Sequence, residues 1–104
     1  KEIWGYIALD EDKNTIVGAS FDHAGETAGL GAEINQSWYE DQYIGKTILD
    51  DDNNFVSVVA VKAGAVADPK HSVDAISGGT ITSDGVSLMI EERLGNYLPY
   101  FKNN

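Results

Sequence analysis

Hydroxyl side chains and glycines are concentrated between Asp74 and Gly85, in the stretch Asp-Ala-Ile-Ser-Gly-Gly-Thr-Ile-Thr-Ser-Asp-Gly. The hydroxyls are those of Ser77, Thr80, Thr82 and Ser83. An apolar pattern with helical spacing follows at Val86, Met89, Ile90 and Leu94. A glycine-rich turn that leads into a helix can hold a phosphate, because glycine lets the backbone come close and the first-turn N–H groups favour negative charge. Ser, Thr and Asp are also the preferred helix caps, so the spacing by itself fits a phosphate site or an ordinary cap.

Composition restricts the kinds of partner that this chain can have. Its 104 residues suffice for one domain with a modest core, and no apolar run approaches the length of a membrane span. Seven Lys and Arg residues stand against 17 acidic ones, so binding to nucleic acid or to anionic lipid is not expected. The absence of cysteine excludes thiolate metal sites and iron–sulfur clusters. His23 and His71 are fewer than the three protein ligands usual for zinc, so no metal site is expected.

The elements that must position this stretch can be predicted in outline. Strand-forming segments at 3–9 and 15–21 flank a polar turn, which predicts a β-hairpin. The remaining predictions are a helix over 35–44 with Asn35 as N-cap, strands over 46–49 and 55–61, a helix over 83–94 and an extended tail over 96–100. The strand over 55–61 is apolar enough to be a central strand buried on both faces. Together these elements predict one α+β domain over residues 1–104, with helices packed on a mostly antiparallel sheet.

A second glycine-rich stretch holds Gly25, Gly29 and Gly31 and predicts a loop with special backbone angles. A dinucleotide fingerprint would need glycine at position 34, where the chain has Ile34. Likewise, the segment 45–47, Gly-Lys-Thr, lacks the earlier glycine of a Walker loop, because position 40 is Glu40. These two nucleotide motifs are therefore excluded.

Several segments resemble one known family. The segment 77–80, Ser-Gly-Gly-Thr, resembles the flavinylation motif of the FMN-binding domains of the sodium-translocating NADH:quinone reductase and of the related Rnf complex. The segment 25–31, Gly-Glu-Thr-Ala-Gly-Leu-Gly, resembles the family's Gly-Glu-Thr-Pro-Gly-Leu-Gly loop. Val-Lys at 61–62 and the ending Leu-Gly-x-Tyr-x-Pro-Tyr at 94–100 also resemble family segments, so the likeness covers nearly the whole chain.

The resemblance implies a covalent cofactor, FMN, joined to Thr80 through a phosphoester bond. It implies further flavin-site residues: Ser77, Gly78, Gly79 and Thr82 near the phosphate, Leu30 packed on the isoalloxazine ring, Glu26, Thr27 and Gly31 close to it, and Lys62 as the one basic residue near the flavin. No residue is given a catalytic role, because the flavin carries the electron chemistry. A threonine at its free pKa is a weak nucleophile, so a separate flavin transferase is implied as a partner during maturation.

The same resemblance implies a function and a location. In the family this domain is the soluble part of the reductase's C subunit, or of the Rnf complex's G subunit, and faces the periplasm from the bacterial inner membrane on a transmembrane anchor outside this chain. Its implied role is to pass electrons through FMN between subunits of a membrane NADH:quinone reductase that exports sodium. Three alternatives stay open: an Rnf-type flavin domain, a domain that binds flavin reversibly, and a flavin-free assembly module. The last is favoured by Gly79 and Ala28, where the family usually has alanine and proline.

Overall fold

Two small sheets and one long helix are the main elements of the chain in a computed structural model. The structure describes residues 2–78 and 80–96 and leaves the side chains of residues 80 and 81 undescribed. The strands are β1 (Glu2–Leu9), β2 (Ile16–Ala24), β3 (Val59–Val61) and β4 (Ser72–Asp74), and the helices are α1 (Ser37–Glu40) and α2 (Thr80–Gly95). Short 3-10 helices lie at Gly31–Asn35, Asp41–Tyr43 and Pro69–His71. The predicted α+β class is confirmed.

The predicted hairpin is present, because β1 and β2 pair antiparallel from Glu2↔Ala24 to Leu9↔Ile16. Its turn is closed by the Asp12 carboxylate, which accepts the Thr15 hydroxyl at 2.5 Å and the backbone N–H groups of Asn14 and Thr15 at 2.8 Å each. These bonds, led by that of the Thr15 hydroxyl, hold the pKa of Asp12 below its usual range. The hairpin turn is therefore stabilised by hydrogen bonds to the Asp12 side chain within it.

The second sheet differs from the prediction, because β3 and β4 pair in parallel, from Val59↔Ser72 to Val61↔Asp74. The prediction of a central strand over 55–61 was wrong in length and in burial, since β3 has three residues and Val59 keeps 36% of its surface exposed. The reason lies at Ser57, whose φ of 60° takes the chain out of the extended conformation.

The predicted strand over 46–49 is also absent as a regular element. Isolated bridges at Thr15↔Thr47 and Leu49↔Phe55 replace it. The Asn14 side-chain oxygen accepts the backbone N–H groups of Ile48 at 2.8 Å and Leu49 at 2.7 Å. One amide side chain thus occupies donors that a partner strand would have used.

The predicted helix over 35–44 is broken into short pieces. Gln36, with φ −88° and ψ 145°, is extended and separates the 3-10 helix Gly31–Asn35 from α1. Asn35 is therefore not the N-cap; its side chain instead bonds Asp22 at 3.5 Å and the Gln36 side chain at 2.7 Å.

Helix α2 starts at Thr80, three residues before the predicted start at 83, and runs to Gly95. Three of its first four residues are polar, so apolar periodicity could not reveal the first turn. Val86 and Ile90 carry its buried face into the core, whose other members are Ile16, Phe21, Ile34, Tyr39, Tyr43, Ile48, Leu49, Val58, Val73 and Ile76. The predicted tail beyond Asn96 lies outside the described residues.

Candidate functional site

One hydrogen bond joins the two glycine-rich stretches, which lie 56 positions apart in sequence. The Thr82 hydroxyl, in the first turn of α2, donates to Glu26 Oε1 in the loop after β2. A carboxylate near the start of a helix is also favoured by the helix dipole. The fold therefore brings together two segments that the sequence analysis assigned to one site.

Gly31 lies directly at this junction. It is buried, and a Cβ added to it would collide with Glu26 Oε1 and Thr82 Oγ1. A glycine at this position lets the loop approach α2 closely enough for the hydrogen bond to form.

The same loop places Leu30 against the turn that precedes α2. Gly78 has φ 76°, a conformation that favours glycine, and a Cβ there would lie 2.7 Å from Leu30 Cδ2. Leu30 nevertheless keeps 40% of its surface exposed. An accessible apolar side chain thus stands beside the turn that leads to Thr80.

Backbone hydrogen bonds shape the loop from Gly25 to Gly31. The Thr27 carbonyl accepts the N–H groups of Leu30 at 3.0 Å and Ala32 at 3.2 Å. The Glu26 N–H donates to His23 Nδ1 at 3.4 Å. Hydrogen bonds to the Thr27 carbonyl thus close the loop on itself, and Thr27 is exposed.

Buried hydroxyl groups form hydrogen bonds around the start of α2. Ser83, in the first turn of α2, is fully buried and accepts the Ile76 N–H at 3.2 Å. The Tyr39 hydroxyl lies within hydrogen-bonding reach of Ser83 and bonds the Tyr43 hydroxyl at 2.7 Å. Sequence reasoning missed the tyrosines as supports of the site, although their spacing of four placed them on one face of a helical segment.

The residues that lead into the turn, Asp74 and Ala75, form hydrogen bonds with a side-chain amide and with β3. The Ala75 N–H donates to the Val61 carbonyl at 2.7 Å, and the Asp74 N–H donates to Gln42 Oε1 at 2.8 Å. Lys62 follows Val61 directly and is exposed. The residue of this strand that contacts the turn is therefore Val61, and Lys62 is its neighbour in sequence.

The structure therefore groups some of the predicted flavin-site residues closely and others loosely. Glu26, Leu30 and Gly31 contact Gly78 or Thr82 directly. Ser77 is exposed at the turn, and Thr80 begins α2. Gly79 lies outside the described residues. The start of a 16-residue helix, an open turn and an exposed apolar side chain suit a ligand that combines a phosphate with a flat apolar ring.

These features belong to a small domain of α+β architecture, and the sequence comparison identifies its family. The profile of the FMN-binding domain family matches residues 1–95. The chain belongs to the FMN-binding domain family.

Similar relatives and a similar solved structure share one description, the C subunit of the Na(+)-translocating NADH-quinone reductase. The relative from Vibrio anguillarum is 37% identical over 94 residues, covering 90% of this chain and 36% of the relative. The relative from Neisseria meningitidis serogroup A is 36% identical over 100 residues, covering 94% and 38%. The crystal structure of the Parabacteroides distasonis subunit superposes with a TM-score of 0.90 at 47% identity, covering 95% of this chain and 49% of that one. The chain thus spans less than half the length of these relatives.

We predict that Gly78→Ala destabilises the domain more than Gly64→Ala does. Both glycines have positive φ, 76° and 85°, so alanine carries a similar backbone strain of about 1 kcal/mol at each. Only at Gly78 does the new Cβ also meet Leu30, since nothing lies within 4 Å of a Cβ at Gly64. Urea unfolding measures both changes, and equal losses would contradict the contact between Leu30 and the turn.

Alkaline pH is expected to weaken the domain through its buried tyrosines. Burial raises the pKa of Tyr43 and of Tyr39, and for Tyr39 hydrogen bonds with Tyr43 and Ser83 oppose the rise. Unfolded tyrosine titrates at about pH 10, so above that pH these two protons are lost from the unfolded chain but not from the folded one. The free energy of unfolding therefore falls by up to about 1.4 kcal/mol per pH unit for each of the two tyrosines. Urea unfolding between pH 8 and 11 measures this slope.

The double variant Tyr39→Phe/Tyr43→Phe removes the buried hydroxyls and is expected to flatten the alkaline decline. Tyr6→Phe, at a side chain that is 78% exposed, is the control and should keep the decline of the parent protein. An unchanged slope in the double variant would show that these two hydroxyls do not cause it.

Proposed function

We propose that this chain is an electron-carrier domain that holds FMN covalently on Thr80. The observation that carries the proposal is the junction of the loop 25–31 with the start of α2, through the Thr82–Glu26 hydrogen bond and the contact of Leu30 with Gly78. These are the two segments that match the family's flavin motifs, and membership of the FMN-binding domain family supports flavin as the ligand.

The residues present fit the two ends of an FMN molecule. Backbone N–H groups in the first turn of α2 would favour the phosphate, because the N-terminal end of a helix carries partial positive charge. Leu30 offers an exposed apolar surface to the ring, and Glu26 and Thr82 offer polar groups at its border. FMN supplies reversible electron uptake when it is attached, and the protein holds it in place.

Attachment requires chemistry that the domain does not complete alone. The Thr80 hydroxyl loses its proton, and its oxygen forms a bond to the phosphorus of the flavin nucleotide. Free FMN would have to expel an oxygen leaving group of high basicity, so the donor must be an activated nucleotide such as flavin adenine dinucleotide, whose phosphoanhydride bond breaks and releases AMP. Because threonine is a weak nucleophile, a flavin transferase is expected to activate it.

The setting of the domain is inferred from its relatives. They are named as the C subunit of Na(+)-translocating NADH-quinone reductase, and this chain spans 36% of the Vibrio anguillarum protein and 38% of the Neisseria meningitidis protein. We infer that the domain passes electrons between subunits of such a membrane reductase, which exports sodium. Among the described residues, none of the helices is long and apolar enough to cross a bilayer. We place the domain on the periplasmic side of the inner membrane, anchored by sequence outside this chain.

Replacing the acceptor should separate flavin attachment from folding. In cells that also make a flavin transferase, the wild-type chain should gain one FMN that survives denaturation, whereas Thr80→Ala should gain none and keep the wild-type melting temperature. Thr47→Ala, which removes the hydroxyl bonded to His71 at 3.2 Å away from the turn, is the matched control and should load normally. Intact-protein mass spectrometry and flavin fluorescence in a denaturing gel measure the adduct.

The result also separates the alternatives. A wild-type protein that stays colourless and unmodified beside an active transferase would favour a flavin-free assembly module and contradict the proposal. Flavin that is present in the native protein but lost on denaturation would indicate reversible binding instead.

A further inference from the structure

The main chain of Asp74 forms two hydrogen bonds with the side chain of Gln42. Asp74 leads into the turn before Thr80, here called the acceptor turn, of which the structure describes residues 75–78. The Asp74 N–H donates to Gln42 Oε1 at 2.8 Å, and Gln42 Nε2 donates to the Asp74 carbonyl at 3.2 Å. A primary amide presents one acceptor and one donor in the same order as a neighbouring peptide group. The Gln42 side chain therefore satisfies the Asp74 N–H and carbonyl groups at the end of β4, as the backbone of an adjacent strand would.

The same helical segment also reaches the other side of the turn. Tyr39 lies three residues before Gln42, and its hydroxyl is within hydrogen-bonding reach of Ser83, which in turn accepts the Ile76 N–H at 3.2 Å. The segment is anchored in the core by Tyr39 and Tyr43, both fully buried. The consecutive short helices over residues 37–43 thus bond the chain before the turn at Asp74 and lie beside Ser83 after it.

We propose that Gln42 is a positioning residue for flavin attachment: by fixing the main chain of Asp74, it sets the path of the turn and so the place of the Thr80 acceptor. The proposal rests on the proposed function, in which Thr80 is the residue that is modified. A transferred phosphoryl group needs its nucleophile in a narrow range of positions, so small displacements of the acceptor lower the rate. The turn itself contains Gly78, whose backbone is permissive, and its path therefore depends on what holds its two ends.

The variant Gln42→Met tests this role, because methionine keeps the length of the side chain and loses both hydrogen bonds. Gln36→Met is the matched control, since the Gln36 side chain is exposed and, among the residues that the structure describes, bonds its neighbour Asn35 alone, at 2.7 Å. Purified wild-type and variant chains are given a flavin transferase and flavin adenine dinucleotide, and covalent flavin is followed by in-gel fluorescence. We expect kcat/KM for Gln42→Met to fall about fivefold to tenfold, in kcat more than in KM, and that of Gln36→Met to stay at the wild-type value.

Hydrogen exchange of the flavin-free chains gives a second measurement that does not depend on loading. In Gln42→Met the amide hydrogen of Asp74 should exchange at least about fivefold faster, while those of Val86 and Ile90 in the core should keep their rates. This pattern would show local release of the turn, because a merely destabilised domain would lose protection throughout.

The outcomes separate the two proposals. If the wild type loads and Gln42→Met loads at the same rate, or loses only in KM, Gln42 does not position the acceptor and this inference is overturned while the proposed function stands. If core amides lose protection as much as Asp74 does, Gln42 supports general stability and the inference is again overturned. If the wild type itself gains no flavin, the proposed function fails and this inference fails with it.

Discussion

The hydrogen bond from Thr82 to Glu26 is the contact on which the candidate site depends. It joins a loop after the hairpin to the first turn of the last helix, and it can form because Gly31 adds no side chain at the junction. Once these elements are joined, Leu30 lies against Gly78 without being buried. The hydrogen bond thus sets the distance between the loop and α2, and the Leu30 side chain remains accessible. The chain needs both properties in one place to hold a molecule with a charged end and a flat end.

Buried polar groups form hydrogen bonds between the core and the start of α2. Ser83, Tyr39 and Tyr43 are fully buried; the two tyrosine hydroxyls bond each other, Ser83 accepts the Ile76 N–H, and the Tyr39 hydroxyl lies within hydrogen-bonding reach of Ser83. Buried polar groups stabilise a structure when they are satisfied and are costly when they are not, so this chain of hydroxyls favours one position of α2 relative to the core. The chain is consequently held before the turn at Ile76 and after it at Ser83, through the hydrogen bond between these two residues.

Sequence reasoning predicted the hairpin, the last helix and the two segments of the site, because these follow from local signals. Strand-forming segments around a polar turn predicted β1 and β2, and the family likeness implied Glu26, Leu30, Gly31, Gly78 and Thr82. The rest depended on contacts between distant residues. Asn14 occupies the donors of Ile48 and Leu49, and the left-handed backbone of Ser57 interrupts an apolar segment that was predicted to be one buried strand. The part played by Gln42 could not be predicted either, since its partner is the main chain of Asp74, 32 positions away.

If the loop and the acceptor turn form one flavin site, Leu30 lies on the flavin ring once the cofactor is attached. A carbon-13 methyl spectrum of leucine-labelled protein, recorded with and without covalent flavin, measures this contact. The Leu30 methyl signals should move upfield on loading through the ring current, while those of Leu88, which is 56% exposed on α2, should stay in place. Flavin-loaded protein in which the Leu30 signals do not move would contradict a shared site.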